Sequence, residues 1–265
     1  MLPERIKHPF AWCGHIPFLF WLIDELKPKL LVELGTHIGN SYFSMCQSVV
    51  KNNLESKCYA VDTWQGDEHA GFYGDSIYND VCLYNDSKYA SFSTLMRMTF
   101  DEALASFENE SIDLLHIDGL HTFEAVKHDF ETWFPKVSKK NGVILFHDIN
   151  IYERGFGVYE LWNQLKLEYP FFEFSHSAGL GVLFVGEANA SNLIDSLTDN
   201  NLGMQGVVEL FTNLGNFIIA RGELEFKSNE FQFLVNKNEK LKNKLKIRSN
   251  PILAIKHYFT KLHTN

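Results

Sequence analysis

Seven short apolar runs separated by helix-length spacers constrain this chain more than any other feature. The runs are 30–34, 58–61, 95–99, 112–117, 142–146, 171–175 and 181–185. Apolar stretches of four to eight residues, rich in β-branched or aromatic side chains and bounded by turn residues, read as buried strands. The spacers predict helices at 41–52, 75–89, 100–108, 122–134 and 157–169, with Pro135 and Asn141-Gly142 marking the turn into the fifth strand. Such alternation predicts a doubly wound α/β sheet with its ligand site at the carboxyl ends of the strands. Only Ala178-Gly179-Leu180 separate the last two runs, too few for a crossover helix, so the mostly parallel sheet closes on a terminal antiparallel hairpin.

The remaining composition excludes several classes. At 265 residues the chain exceeds one ordinary domain, and a 45% hydrophobic content gives a core of normal size. Cys13, Cys46, Cys58 and Cys82 form no CxxC pair and read as buried or free thiols of a reducing compartment. The apolar stretch 10–23 is interrupted by Gly14, His15 and Pro17 and is too short to span a bilayer. It predicts an N-terminal helix on the domain, and a cytoplasmic location. A net charge of −9 argues against a nucleic-acid surface.

The first strand runs into Glu33-Leu34-Gly35-Thr36-His37-Ile38-Gly39-Asn40-Ser41. Glycines in this turn let the backbone approach a ligand. Neither GxGxxG nor a Gly-Lys-Ser/Thr loop is present, which disfavours a pyrophosphate cofactor. Asn40 and Ser41 are candidate caps of the next helix. The second strand ends at Asp62, suited to accept hydrogen bonds from ribose hydroxyls, and Trp64 beside it suits either an adenine or the core. The fourth and fifth strands end in Asp118 and Asp148. Two carboxylates at one sheet edge repel unless protonated or bridged by a cation, and such oxygen ligands suit Mg²⁺, Mn²⁺ or Ca²⁺. His116 and His147, inside the strand ends, read as core histidines.

The motifs ELGTHIG, HIDGLHTFEAVKHD (116–129) and FHD, with DTWQGDEHAGFY (62–73) and RGFGVYEL (154–161), resemble class I methyltransferases of the subgroup found alone or fused to glycosyltransferases. The resemblance covers about residues 10–186. It implies a Rossmann-like domain over 1–187, S-adenosyl-L-methionine (SAM) as cofactor, and O-methylation of a sugar, nucleotide-sugar or glycan hydroxyl. Glu33, Gly35, Gly39, Asp62 and Asp118 then fall on the cofactor, and Asp118 and Asp148 on Mg²⁺ or Mn²⁺. His121, three residues after the first ligand, falls on the general base; from spacing alone it could equally cap the helix at Thr122. A metal-free small-molecule methyltransferase and a non-catalytic SAM-binding scaffold remain as alternatives.

Around these motifs, 65–74 reads as a lid or a solvated loop. Arg154 is placed to hold an anionic substrate group or to pair with Asp148 or Glu153. From 188 to 265 the character changes to a helical, basic extension. Ser191 to Asp199 suits a short helix. Helical spacing over 205–248, with Leu224, Phe231, Leu234, Leu241 and Leu245 interrupted by Lys227 and Asn238, predicts a helical hairpin or short coiled coil. From Lys237 onward eight Lys or Arg face Glu239 alone, which suits self-association, a partner, or an anionic membrane surface.

Overall fold

The computed structural model describes residues 1–186, Leu193, Asp195 and 203–249, the last helix with side chains to Asn243. Apart from Leu193 and Asp195, the proposed helix at 191–199 and the tail at 251–259 lie outside the described residues.

A seven-stranded sheet is formed by β1 (Leu30–Leu34), β2 (Lys57–Asp62), β5 (Ser93–Arg97), β6 (Leu114–Ile117), β7 (Val143–His147), β8 (Phe171–Phe174) and β9 (Leu180–Phe184). Its order is β5-β2-β1-β6-β7-β9-β8. All neighbours pair in parallel except those involving β9, which runs antiparallel to both β7 and β8. This is the Rossmann-like methyltransferase fold. A second, two-stranded sheet pairs β3 (Gly66–Asp67) with β4 (Gly71–Phe72) inside the glycine-rich loop, where no strand was expected. Strands of two residues carry no periodic signal, so only the glycine turns announce them.

Successive residues of the central strands feed opposite faces, as the two-residue period requires. Leu31, Cys58 and Leu114 join α1 (Ile16–Leu26) and α2 (Asn40–Lys51) in one core. Val32, Val61 and Leu115 join Trp133 and Trp162, from α5 (Phe123–Trp133) and α6 (Val158–Leu165), in the other. The helices α3 (Ser76–Lys88) and α4 (Phe100–Ala103) complete the crossovers. α4 is shorter than its predicted span and gives way to a 3-10 turn at Leu104–Ser106. Its start is set by a capping box between Thr99 and Glu102.

Where a helical hairpin or short coiled coil was expected over 205–248, the chain forms one continuous helix with no hairpin turn, α7 (Gly203–Ser249). Contacts divide the chain into Met1–Ala220 and a second unit beginning at Arg221. Within the first, Val207, Phe211 and Ile218 are buried in the same core as Phe18 and Phe174. Among the described residues no helix is long and apolar enough to cross a membrane. All four cysteines are free, and only Cys82 reaches the surface in part.

Candidate active site

The parallel strands deliver their loops to one sheet edge, and there they surround a cavity of about 560 Å³. Ligand sites of small-molecule size fall in this range. One end is built by the turn after β1. Gly35 sits at φ +86°, and a Cβ there would collide with the backbone carbonyl of Asp118, so the β1 and β6 loops can touch only through a glycine. Gly39, at φ +81°, precedes α2 as its N-cap, so Asn40 is the first helical residue rather than the cap. The Asn40 side chain is turned to the N-terminal segment, accepting from the Lys7 amide at 2.9 Å and donating to the carbonyls of Lys7 and Pro9.

Asp62 stands at the tip of β2 and faces the cavity. Its Oδ2 accepts the amides of Thr36 and His37 at 2.9 and 2.8 Å, and its Oδ1 accepts that of Trp64 at 2.6 Å. A carboxylate offers about four acceptor sites, so three are taken by the backbone of the two loops it joins. Trp64 itself is fully buried, donating its indole N–H to the His37 carbonyl, and belongs to the core. Glu33 does not line the cavity. It is fully buried one layer below, where the β1–β6 register sets it beside His116. Its Oε2 lies 2.9 Å from His116 Nδ1, and His116 Nε2 accepts the indole N–H of Trp12 at 3.0 Å. Glu33 thus supports Trp12, which does line the cavity.

Against Gly35, Asp118 follows β6, and beside it Asp148, at φ +61°, turns the chain away from β7. His121 Nε2 lies 2.8 Å from Asp148 Oδ2 and 3.4 Å from Asp118 Oδ1. His147 Nδ1 lies 3.4 Å from Asp118 and 3.3 Å from Asp148. One oxygen of each aspartate and one His147 nitrogen all lie within 4.8 Å of one another. Burial disfavours a charged His121, but hydrogen bonds and charge from Asp118 and Asp148 outweigh it and lift its pKa to about 9. His147 is shifted upward by the same balance. Burial likewise pushes both carboxyls up, yet the charged His147 and the hydrogen bonds from both histidines hold them below the usual range, Asp148 at about 2.

Residues 32–149 match the family described as methyltransferase domain. An uncharacterized protein of Sinorhizobium fredii (strain NBRC 101917 / NGR234) is 51% identical over 183 residues, which is 69% of this chain and 20% of that protein. The chain therefore spans about a fifth of the length of that curated relative. Among solved structures, a Staphylococcus aureus protein described as a candidate caffeoyl-CoA O-methyltransferase superposes with a TM-score of 0.51 at 12% identity, covering 68% of this chain and 85% of that one. Cofactor-bound Rv0187 from MTB gives 0.50 at 13% identity, over 70% and 84%. At these identities the likeness concerns the fold.

The sheet edge thus gathers Gly35, Asp62, Asp118, His121 and Asp148 around one cavity, with Glu33 beneath it. Thr122, not His121, caps α5, its Oγ1 accepting the Ala125 amide at 3.3 Å. Phe156 stacks on His121 with ring centroids 4.6 Å apart and planes 9° apart, and on His69 at 4.4 Å. The Arg154 guanidinium lies over the outer part of Phe156 at 4.9 Å, and among the described residues it pairs with no carboxylate. The cavity also takes residues that the motifs did not single out. His147 reaches both aspartates because the strand end turns it inward, and Trp12 with Pro9 arrives from the N-terminal segment. The FHD spacing could have flagged His147; nothing local marks Trp12.

Proposed function

We propose that this chain is a SAM-dependent methyltransferase that transfers the methyl group to a hydroxyl oxygen of a sugar, nucleotide sugar or glycan with the help of a divalent cation. The convergence of Asp118, His147, Asp148 and His121 in the cavity that the Gly35–Ile38 turn also lines carries this reading.

The donor set fits a hard or borderline cation: two carboxylate oxygens and one imidazole nitrogen. His147 Nε2 lies 3.1 Å from the Ser177 carbonyl, which can only accept, so that nitrogen carries the proton. Nδ1 then meets the carboxylates either as a second N–H or as a lone pair aimed at a metal, the tautomer control common among metal-binding histidines. Bound there, Mg²⁺ or Mn²⁺ would supply Lewis-acid charge that lowers the pKa of an acceptor hydroxyl.

The chain's own groups do the rest. The Nε2–H of His121 donates to Asp148, so in its neutral form the ring takes the hydroxyl proton on Nδ1, which has no partner among the described residues, and Phe156 fixes its plane by stacking. Asp62 has one acceptor site left for a ribose hydroxyl of the cofactor, fewer than a free carboxylate tip would offer. Arg154, without a carboxylate partner among the described residues, suits a phosphate or carboxylate on the acceptor. Displacement at a sulfonium methyl is governed by alignment, so these residues act by positioning as much as by proton transfer.

The 2.8 Å His121–Asp148 pair also supports a metal-free reading, in which Asp148 orients the base directly. Turnover of a sugar and nucleotide-sugar panel separates the two. Loss of S-adenosylhomocysteine formation in EDTA, restored by Mg²⁺ or Mn²⁺, supports the metal-assisted reaction; EDTA-resistant turnover supports the other. A chain that binds SAM and methylates no acceptor would overturn both.

A further inference from the structure

We infer that residues 224–241 of α7 pair with the same residues of a second copy in an antiparallel two-helix coiled coil. Leu224, Phe231, Leu234 and Leu241 fall at spacings of seven, three and seven residues, and each is more than half exposed. Lys227 and Asn238 complete the seam, so that Leu224, Phe231 and Asn238 share one column and Lys227, Leu234 and Leu241 the next. A seam of period 3.5 is the geometry that lets two helices stay in contact along their length.

The polar interruptions choose both the partner and its direction. With a second copy antiparallel, and Phe231 set opposite Leu234 of that copy, Leu224 falls opposite Leu241. The same register sets Asn238 opposite Lys227, whose ammonium can donate to the Asn238 amide oxygen. Every layer is then matched in kind, apolar with apolar and polar with polar. Glu230 and Lys237 flank the seam on one side and meet each other across the dimer, opposite in charge, twice by symmetry. Among the described residues neither has an ion-pair partner within its own chain. A parallel pair does the reverse: it stacks Lys227 on Lys227 and brings Lys237 against Lys242. Like charges there disfavour that arrangement. A C2 interface of this kind is self-complementary and closes after two copies.

Sedimentation velocity of the full chain from about 1 to 100 μM should show a monomer–dimer equilibrium. Glu230→Lys and Lys237→Glu should each raise the dissociation constant by roughly tenfold, since each turns two attractive contacts into repulsive ones. The double variant Glu230→Lys/Lys237→Glu should recover the original value. Circular dichroism on each variant confirms that the helix persists. Under mild oxidation, a mixture of Leu224→Cys and Leu241→Cys chains should form a disulfide-linked dimer, while Leu224→Cys alone should not. A chain that stays monomeric throughout, a dimer indifferent to the charge exchanges, or Leu224→Cys linking to itself would each overturn the inference.

Discussion

His147 donates its Nε2 proton to the carbonyl of Ser177 at 3.1 Å, and this one bond decides what the other ring nitrogen can do. Nδ1 is left facing Asp118 and Asp148 at 3.4 and 3.3 Å. His15 Nε2 also lies 3.1 Å from the same carbonyl, so the Ser177 loop is gripped from two sides. Replacing His147 with Gln, or Asp148 with Asn, should weaken Mn²⁺ binding at least about tenfold. S-Adenosylhomocysteine affinity should change little, because neither side chain belongs to the glycine-turn end of the cavity. Calorimetric titration of both ligands into each variant separates the two effects.

Asp62→Asn should show the opposite pattern. The carboxylate accepts three backbone amides, and an amide side chain offers only one oxygen. At least one buried N–H loses its partner, at about 1–3 kcal/mol. Cofactor affinity is expected to fall by roughly tenfold or more, and the melting temperature with it, while Mn²⁺ binding persists.

Removing the base tests the catalytic assignment directly. His121→Gln should lower kcat on an active acceptor by about 10²–10⁴-fold, the usual worth of general-base catalysis, with the dissociation constant for SAM unchanged. Equal loss of turnover and SAM affinity would place His121 in cofactor binding instead.

Asp129 carries a pH-dependent cost of its own. Burial raises its carboxyl to about 7, against the neighbouring charge of His128. A folded pKa above the unfolded value means the native state holds the proton more tightly. Stability from this group is therefore greatest below about pH 4 and is lost as pH climbs towards 7. Asp129→Asn mimics the neutral form, so at pH 8 it should stabilise the protein by about 1–3 kcal/mol. The gain should vanish near pH 4, as thermal denaturation at the two pH values would show.

The sheet and its ligand edge were legible because buried parallel strands are written as continuous apolar runs. Gly35, Asp62, Asp118 and Asp148 follow from where those runs stop. Glu33 lies one residue short of the strand tip, on the same face as His116, so it meets that histidine rather than the cavity. Strand alternation hid His147, which reads as a core residue until the β6–β7 register sets it beside Asp118. The role of Asp62 as a clamp on Thr36 and His37 rests on a loop approach that no local pattern encodes. Likewise the Trp12 wall comes from a segment more than a hundred residues from its partner His116.

The central claim is that this cavity holds a SAM-type nucleoside cofactor. Titrating S-adenosylhomocysteine into the full chain by calorimetry tests it most directly. One saturable site, weakened roughly tenfold or more in Asp62→Asn, is the expected result. No binding to the wild-type chain would contradict it.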